Sequence, residues 1–287
     1  MCEYDTKVER LKAIIASCAE EDVVVAFSGG ADSSLLLKMA CEAAKKTGRI
    51  VYGIFLHTIL HPSGEAESAG ETAEEIGAVF RVLEINELRG AGIAYNPVDR
   101  CYRCKKHLFQ SILREAEKLR AGTVMEGTNQ DDLKVYRPGI RAVKELNIAS
   151  PLAEAGLTKE EVRRLASEYG LSVSRKPAAP CLATRFPYGT RLSDEEMRRV
   201  ERGERMLKEQ GFYNVRIRVH GEIARLEVDS RDLLMLVEKR ESVAGRLKEM
   251  GYTYVTADLE GFRSGSMDVN VNVDINTNIN TNINADI

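Results

Sequence analysis

The feature that most constrains this chain is the string Ser28-Gly29-Gly30-Ala31-Asp32-Ser33-Ser34, set between the apolar run Val23-Val24-Val25-Ala26-Phe27 and a helix-forming stretch over 33–46. A short β-branched run reads as a buried strand, and a strand feeding a helix through adjacent glycines opens a parallel crossover. Two glycines let main-chain N–H groups approach an anion, the serines add hydroxyl donors, and the helix N-terminus adds partial positive charge. The string therefore fits a phosphate cradle. It carries neither the Gly-Lys-Ser/Thr ending of the Walker loop nor the G-x-G-x-x-G dinucleotide spacing. Asp32 would repel a bare phosphate, so its place in the cradle points to Mg2+-bridged nucleotide. A glycine turn with Asp32 capping the helix is the bland alternative.

Strand and helix patterns alternate around this string. An opening helix is marked by Val8, Leu11, Ile14, Ile15 and Cys18; strands over 50–56, 79–85 and 123–126 follow, with helices over 65–76, 102–119 and 159–169. Thr158 starts the last of these helices and Gly170 stops it. The alternation predicts an α/β fold, a parallel sheet with helices on both faces. The proline-rich stretch around Lys176-Pro177-Ala178-Ala179-Pro180 breaks the pattern, so the first domain is expected over 1–175. A linker and a smaller α/β C-terminal domain, serving substrate binding and oligomerisation, are expected over 176–265. Its elements are a helix over 193–210 opened by a Ser193/Glu196 capping box, strands over 214–219 and 223–228, a helix over 231–250 and a strand over 252–257. Residues 268–287 alternate Val or Ile with Asn, Asp and Thr, a period that an edge strand shares, but 266–287 are expected as a disordered low-complexity tail.

The chain is 287 residues long, 44% hydrophobic, and carries a net charge of only -3, which excludes disorder as its main state and any global electrostatic drive toward nucleic acid. No membrane span is expected, and the charged start lacks a signal-peptide core, so the protein is expected to be cytoplasmic with reduced thiols. Cys101 and Cys104 form a C-x-x-C at a predicted helix start, where Arg100, Arg103, Lys105 and Lys106 favour thiolate. Cys181 lies in the linker near Arg185. Three thiolates suit either three corners of a cubane cluster or a zinc site completed by His107 or water. Cys2 is terminal and Cys18 and Cys41 lie on apolar helix faces, so these three read as packing residues. Isolated His57 and His61 receive no role. Arg216, Arg218 and His220 share one strand face, with Arg225 on the next strand and Glu222 or Glu227 placed to order them.

The phosphate string resembles the PP-loop of the ATP pyrophosphatase superfamily. Arg100-Cys101-Tyr102-Arg103-Cys104-Lys105, the runs GTNQDDLKVYRPG and SPLAEAGLTKEEVR, and KPAAPCLATRFPYGTRL resemble the LarE family in order, from about Val23 to Met267. The resemblance implies a sulfur transferase that adenylates a carboxylate on a pyridinium mononucleotide, the nickel-pincer cofactor precursor, and displaces AMP with sulfur. It implies ATP held by Ser28, Gly29, Gly30, Asp32, Ser33, Ser34 and Gly127, with Mg2+. It implies Arg216, Arg218 and Arg263 as the substrate-phosphate site, and a loop facing ATP for Asp131 and Asp132, either as Mg2+ ligands or as turn residues. One family branch uses a sacrificial cysteine matching Cys181; another holds a 4Fe-4S cluster on a trio matching Cys101, Cys104 and Cys181, which would take sulfide from a sulfur donor. A homo-oligomer acting on a small nucleotide, without nucleic acid or membrane partners, is expected. A tRNA thiolase and a zinc-stabilised nucleotide-binding protein remain the alternatives.

Overall fold

A computed structural model describes residues 2–134, 138–175, 181–263 and 265–267. The linker stretch 176–180 and the tail from residue 268 onward lie outside them. The chain forms two compact units: Met1–Ile93 with Asp99–Ala179, and Ala94–Val98 with Pro180–Ile287. A five-residue piece of the earlier sequence thus folds with the later unit. No helix among the described residues is long and apolar enough to cross a membrane.

The first unit is built on four parallel strands, β1 (Val23–Ala26), β2 (Val51–Thr58), β3 (Val79–Ile85) and β4 (Thr123–Met125), in the order β3-β2-β1-β4. Val23 pairs with Val51 on one side and Thr123 on the other, so β1 is central. Its side chains alternate between two cores. Val23, Val25 and Phe27 pack with α1 (Glu3–Cys18), α2 (Ala31–Thr47), α3 (Glu65–Ile76), α7 (Pro151–Glu154) and α8 (Lys159–Glu168) through Leu11, Leu36, Ala69, Leu152 and Leu165. Val24 packs the other way, with Phe109 and Ile112 of α5 (Arg100–Leu119) and Val143 of α6 (Pro138–Glu145). The two-sided core is why β1 reads as a continuous apolar run. The short helix α4 (Glu87–Gly90) follows β3. All three crossovers return to the same end of the sheet, so the turns after β1, β2 and β4 share the carboxyl edge where such folds bind ligands.

The second unit has a three-stranded sheet, β5 (Val215–His220), β6 (Ile223–Val228) and β7 (Tyr254–Ala257), with β5 and β6 antiparallel and β7 parallel to β6. Helix α9 (Asp194–Glu209) lies so close to β5 that a Cβ on Gly203 would sit 2.5 Å from Ile217 Cδ1 and 3.1 Å from Leu247 Cδ2. With Ile217 turned toward α9, Arg216, Arg218 and His220 take the opposite face. Ser193 caps α9, accepting a hydrogen bond from the Glu196 N–H at 3.3 Å. The single helix expected over 231–250 is two helices, α10 (Leu233–Glu238) and α11 (Arg240–Glu249), after a 3-10 turn at Ser230–Asp232. The break at Lys239 lets its ammonium reach the Gln210 carbonyl at 2.6 Å.

Candidate active site

The phosphate string is wound by its own hydroxyls. Ser28 N–H donates to Ser33 Oγ at 3.2 Å, the two serine Oγ atoms lie 3.1 Å apart, and Ser33 Oγ donates to the Gly30 carbonyl at 3.2 Å. Gly29 has φ +66°, and a Cβ there would stand 3.0 Å from Ala69 Cβ on α3. Only glycine makes that turn without moving a helix. Gly30 is the N-cap of α2 and offers no side-chain cap, leaving the first N–H groups of the helix to a ligand. Ser34 Oγ is fully buried and without a hydrogen-bond partner among the described residues.

The segment after β4 closes on this turn. A Cβ on Gly127 would lie 3.1 Å from both Asp32 Cβ and Ser33 N, which explains the glycine. Asn129 donates its amide to Asp32 Oδ1 at 3.4 Å, while its own Oδ1 accepts from the N–H groups of Asp131 and Asp132 at 3.0 and 3.2 Å. Asp32 also pairs with the Lys159 ammonium, at the first turn of α8. Asp131 accepts from the Lys159 N–H at 2.9 Å and pairs with Lys134, and these contacts hold its carboxyl below the usual carboxylate range. Asp131 and Asp132 therefore shape the turn and anchor α8. Asp32 carries oxygen donors of the kind that suit a hard cation such as Mg2+, and here they pair with Lys159 and Asn129.

Buried Glu126 connects this loop to the C-x-x-C helix. It accepts from Thr128 N–H at 3.0 Å and Ser150 Oγ at 2.6 Å, and pairs with Lys105 at 3.3 Å. Lys105 directly follows Cys104. Cys101 is exposed and Cys104 half-buried, one turn apart on the first turns of α5. His107 stacks on Gly90, where a Cβ would meet its Nε2 at 2.3 Å, and burial pushes its imidazole below the ordinary range. Within each unit, among the described residues, no three His, Cys, Asp or Glu side chains group to hold a metal ion. Cys41 is a core residue whose thiol burial pushes up to about 11, and burial raises Cys18 as well. Cys2, read as a packing residue, is exposed and instead caps α1 by accepting from Asp5 N–H at 3.4 Å.

In the second unit Cys181, a half-buried thiol, precedes a 3-10 turn at Leu182–Arg185. Its carbonyl accepts from Thr184 Oγ1 at 2.8 Å and Arg185 Nη1 at 3.3 Å. Arg185 is only 3% exposed and grips Glu204 with two bonds of 2.8 and 2.9 Å. Glu204 in turn accepts from Ile217 N–H at 3.0 Å, pinning the cysteine turn to β5. Arg218 is buried on Glu227 at 2.8 Å and donates to the Thr184 carbonyl at 2.8 Å. Arg263 pairs with Asp258 at 3.0 Å and with Glu260. Arg216 differs: its guanidinium bonds the Val215 carbonyl at 2.7 Å and lies 5.2 Å from the centre of the Phe262 ring. Burial, with Arg185 and Arg218 nearby, pushes it below the ordinary arginine range. A guanidinium crowded by like charge and bonded to no carboxylate is suited to an incoming anion. Glu227, not Glu222, orders the strand arginines, taking Arg218, Arg225 and Ser266.

Sequence reasoning missed Lys159 and Asn129 at Asp32, Glu126 beneath the C-x-x-C helix, and Glu204 behind Arg185. A polar residue at the carboxyl end of a short strand was the available signal for Glu126; Glu204 sits in a strongly charged helix and has none.

A parallel sheet with a Ser-Gly-Gly turn, a free helix N-terminus and an aspartate facing it defines a PP-loop ATP pyrophosphatase fold. Comparison with known proteins agrees, although no family model matches the chain. It is 35% identical to an uncharacterized Synechocystis protein, slr1717, over 92% of this chain and 97% of that protein. It is 36% identical to the pyridinium-3,5-bisthiocarboxylic acid mononucleotide synthase of Lactiplantibacillus plantarum, over 86% of this chain and 88% of that one. A tRNA-specific 2-thiouridylase, MnmA of Rickettsia felis, is 27% identical over 55% of this chain and 52% of its own length. The chain belongs to the LarE family of ATP-dependent sulfurtransferases.

Proposed function

We propose that this enzyme thiolates a carboxylate of a pyridinium mononucleotide, the precursor of the nickel-pincer cofactor, and that Cys101, Cys104 and Cys181 together hold a 4Fe-4S cluster. The observation that carries the reading is the extended likeness to the pyridinium-3,5-bisthiocarboxylic acid mononucleotide synthase. A substrate carboxylate oxygen attacks the α-phosphorus of ATP, the bond to the β-phosphate oxygen breaks, and pyrophosphate leaves. Sulfide then attacks the acyl carbon of the mixed anhydride and AMP departs with the bonding pair, leaving a thiocarboxylate. Main-chain N–H groups from Gly29 to Ser34 and the Ser34 hydroxyl bind the departing pyrophosphate, with Gly127 allowing the close approach. Asp32 takes Mg2+ and releases the Lys159 ammonium to the phosphates. Arg216 contacts the substrate 5′-phosphate, and Arg218 and Arg263 add charge from their ion-paired positions.

Three soft thiols fit an iron–sulfur group in donor type and number. When bound, such a cluster with one iron lacking a protein ligand supplies a place for an exchangeable sulfide. Six cysteines without the density of a disulfide scaffold support a cytoplasmic setting, and exposed Leu234 and Val237 on α10 support a homo-oligomer. The test is anaerobic purification, iron and sulfide quantification, and ATP-dependent thiolation of the pyridinium substrate against tRNA. Cys101→Ala, Cys104→Ala and Cys181→Ala should each remove iron and sulfur transfer while sparing ATP binding, and Asp32→Asn should remove most pyrophosphate release. An iron-free enzyme that transfers sulfur once, leaving Cys181 lighter by the mass of hydrogen sulfide, would overturn the cluster assignment.

A further inference from the structure

Both thiols of the C-x-x-C lie in the first turns of α5, and that helix start lacks the usual supports. Asp99, its N-cap, makes no side-chain cap hydrogen bond, and its carboxylate pairs instead with Arg103 at 2.8 Å. The first turn holds no acidic residue, while Arg100 and Arg103 stand where the helix dipole disfavours cations. A turn built this way frays unless it is held from outside. Glu126 holds Lys105, and α6 supplies the rest. A Cβ on Gly139 of α6 would lie 2.8 Å from Lys105 Cδ and 3.7 Å from the Cys101 carbonyl oxygen, so α6 starts directly against this turn.

A residue between the two cysteines makes the tightest link. Tyr102 donates its hydroxyl to Glu145 Oε2 at 2.7 Å and accepts from the Lys106 ammonium at 2.9 Å, and that ammonium pairs with Glu145 at 2.8 Å. Arg141 bonds the other Glu145 oxygen at 2.7 Å and lies 4.8 Å from the centre of the Tyr102 ring. Bonds from Lys106, Tyr102 and Arg141 pull the Glu145 carboxyl down to about 2, so it is ionised at neutral pH. A phenylalanine would pack equally well, but only a hydroxyl gives to a carboxylate and takes from an ammonium at once. We propose that Tyr102 is a positioning residue for sulfur transfer, tying the C-x-x-C turn to Glu145 on α6 and so fixing where Cys101 and Cys104 stand. This rests on the reading above of those two cysteines as sulfur-handling thiols.

The test uses the full chain. Tyr102→Phe keeps the ring and loses the hydroxyl; Glu145→Gln keeps the shape of the side chain and loses its charge. In metal-free protein, iodoacetamide should alkylate half-buried Cys104 roughly threefold or more faster in each variant, the scale of one lost hydrogen bond, with exposed Cys101 changing less. The Arg103 N–H, which closes the turn on the Asp99 carbonyl at 3.1 Å, should exchange faster by a like factor. Combining the two substitutions should add little to either one, because both open the same link. In anaerobically purified enzyme, sulfur transfer should lose kcat by a similar factor, while the KM for ATP and the rate of pyrophosphate release stay as in the parent, a split that a general loss of fold would not give. Unchanged Cys104 alkylation and Arg103 exchange in both variants would overturn the link. Faster alkylation with undiminished sulfur transfer would overturn its role in the reaction and leave the thiol reading standing. Parent-like sulfur transfer in Cys104→Ala would overturn the thiol reading itself.

Discussion

Gly29→Ala tests the construction of the phosphate turn with two separable penalties. The first is conformational: φ is +66°, a region that costs an alanine about 1–2 kcal/mol. The second is steric, because the new methyl would stand 3.0 Å from Ala69 Cβ and 3.2 Å from Ala69 Cα, so α3 or the turn must move. Overpacking of that kind costs about 1–3 kcal/mol. The sum, about 2–5 kcal/mol, falls on the first unit. Gly30→Ala is the matched control, since its Cβ would meet only Ser28 Oγ at 3.4 Å and no positive φ is involved; about 1 kcal/mol or less is expected. Adding Ala69→Gly to Gly29→Ala removes the Cβ contact and leaves the dihedral cost and the 3.2 Å approach to the residue-69 Cα, so the pair should show a coupling of about 1 kcal/mol. Native-state hydrogen exchange of the amides in and just after β1, such as the Phe27 N–H bonded to the Ile54 carbonyl at 2.9 Å, reads the opening of this unit without requiring both units to unfold together. Equal stability of the Gly29 and Gly30 variants would refute the conformational argument, and zero coupling with Ala69→Gly would refute the steric one.

The strand arginines should separate by role. Arg218→Ala strips a partner from fully buried Glu227 and should destabilise the second unit by about 2–4 kcal/mol, Arg225 and Ser266 limiting the loss, whereas Arg216→Ala should cost about 1 kcal/mol or less in urea unfolding and instead weaken nucleotide-substrate binding by about 1.5–3 kcal/mol with ATP affinity unchanged. Equal stability losses would mean that both arginines are structural. Glu87 accepts from the Leu60 N–H at 3.1 Å, its other oxygen has no partner among the described residues, and burial pushes its pKa above the ordinary 4.5. The folded chain therefore holds this proton more tightly than the unfolded one, so the contribution is full below about pH 4.5 and lost as pH rises toward the raised value. Glu87→Gln should raise the thermal midpoint at neutral pH and lose that advantage at acid pH; a gain that is the same at both would refute the assignment.

The first unit was legible because its chemistry is local. The β1 run, the glycine turn and the start of α2 are contiguous, so strand, turn and helix signals reinforce one another, and Thr158 caps α8 with the expected reciprocal bonds to Glu161. What escaped depends on pairing across long separations. Lys159 meets Asp32, and Lys105 meets Glu126, through folding that no periodicity encodes. The split of α10 from α11 was hidden because 231–250 carries helical spacing throughout, while the break at Lys239 goes with a bond to Gln210 far away in sequence. Ala94–Val98 escaped for a different reason: five loop residues contain no pattern that says with which unit they fold.

Adenylation and sulfur delivery need opposite surroundings, and the first unit joins them through one carboxylate. Phosphate release calls for a rigid array of donors, which is what the glycine turn provides by leaving its N–H groups unspent. Sulfur chemistry needs thiols that are accessible, and Cys101 and Cys104 occupy the exposed and half-buried first turns of α5. Glu126 lies between the two demands. It fixes the Thr128 N–H that shapes the segment over Asp32, and it holds Lys105, the residue next to Cys104. Since a buried carboxylate left without Lys105 would carry an uncompensated charge, displacement of the loop and displacement of the helix are energetically linked. Under the proposed function, a nucleotide that orders the loop at Gly127 would also favour one placement of the C-x-x-C turn, so that the acyl group would be activated when the thiol-bearing helix is set.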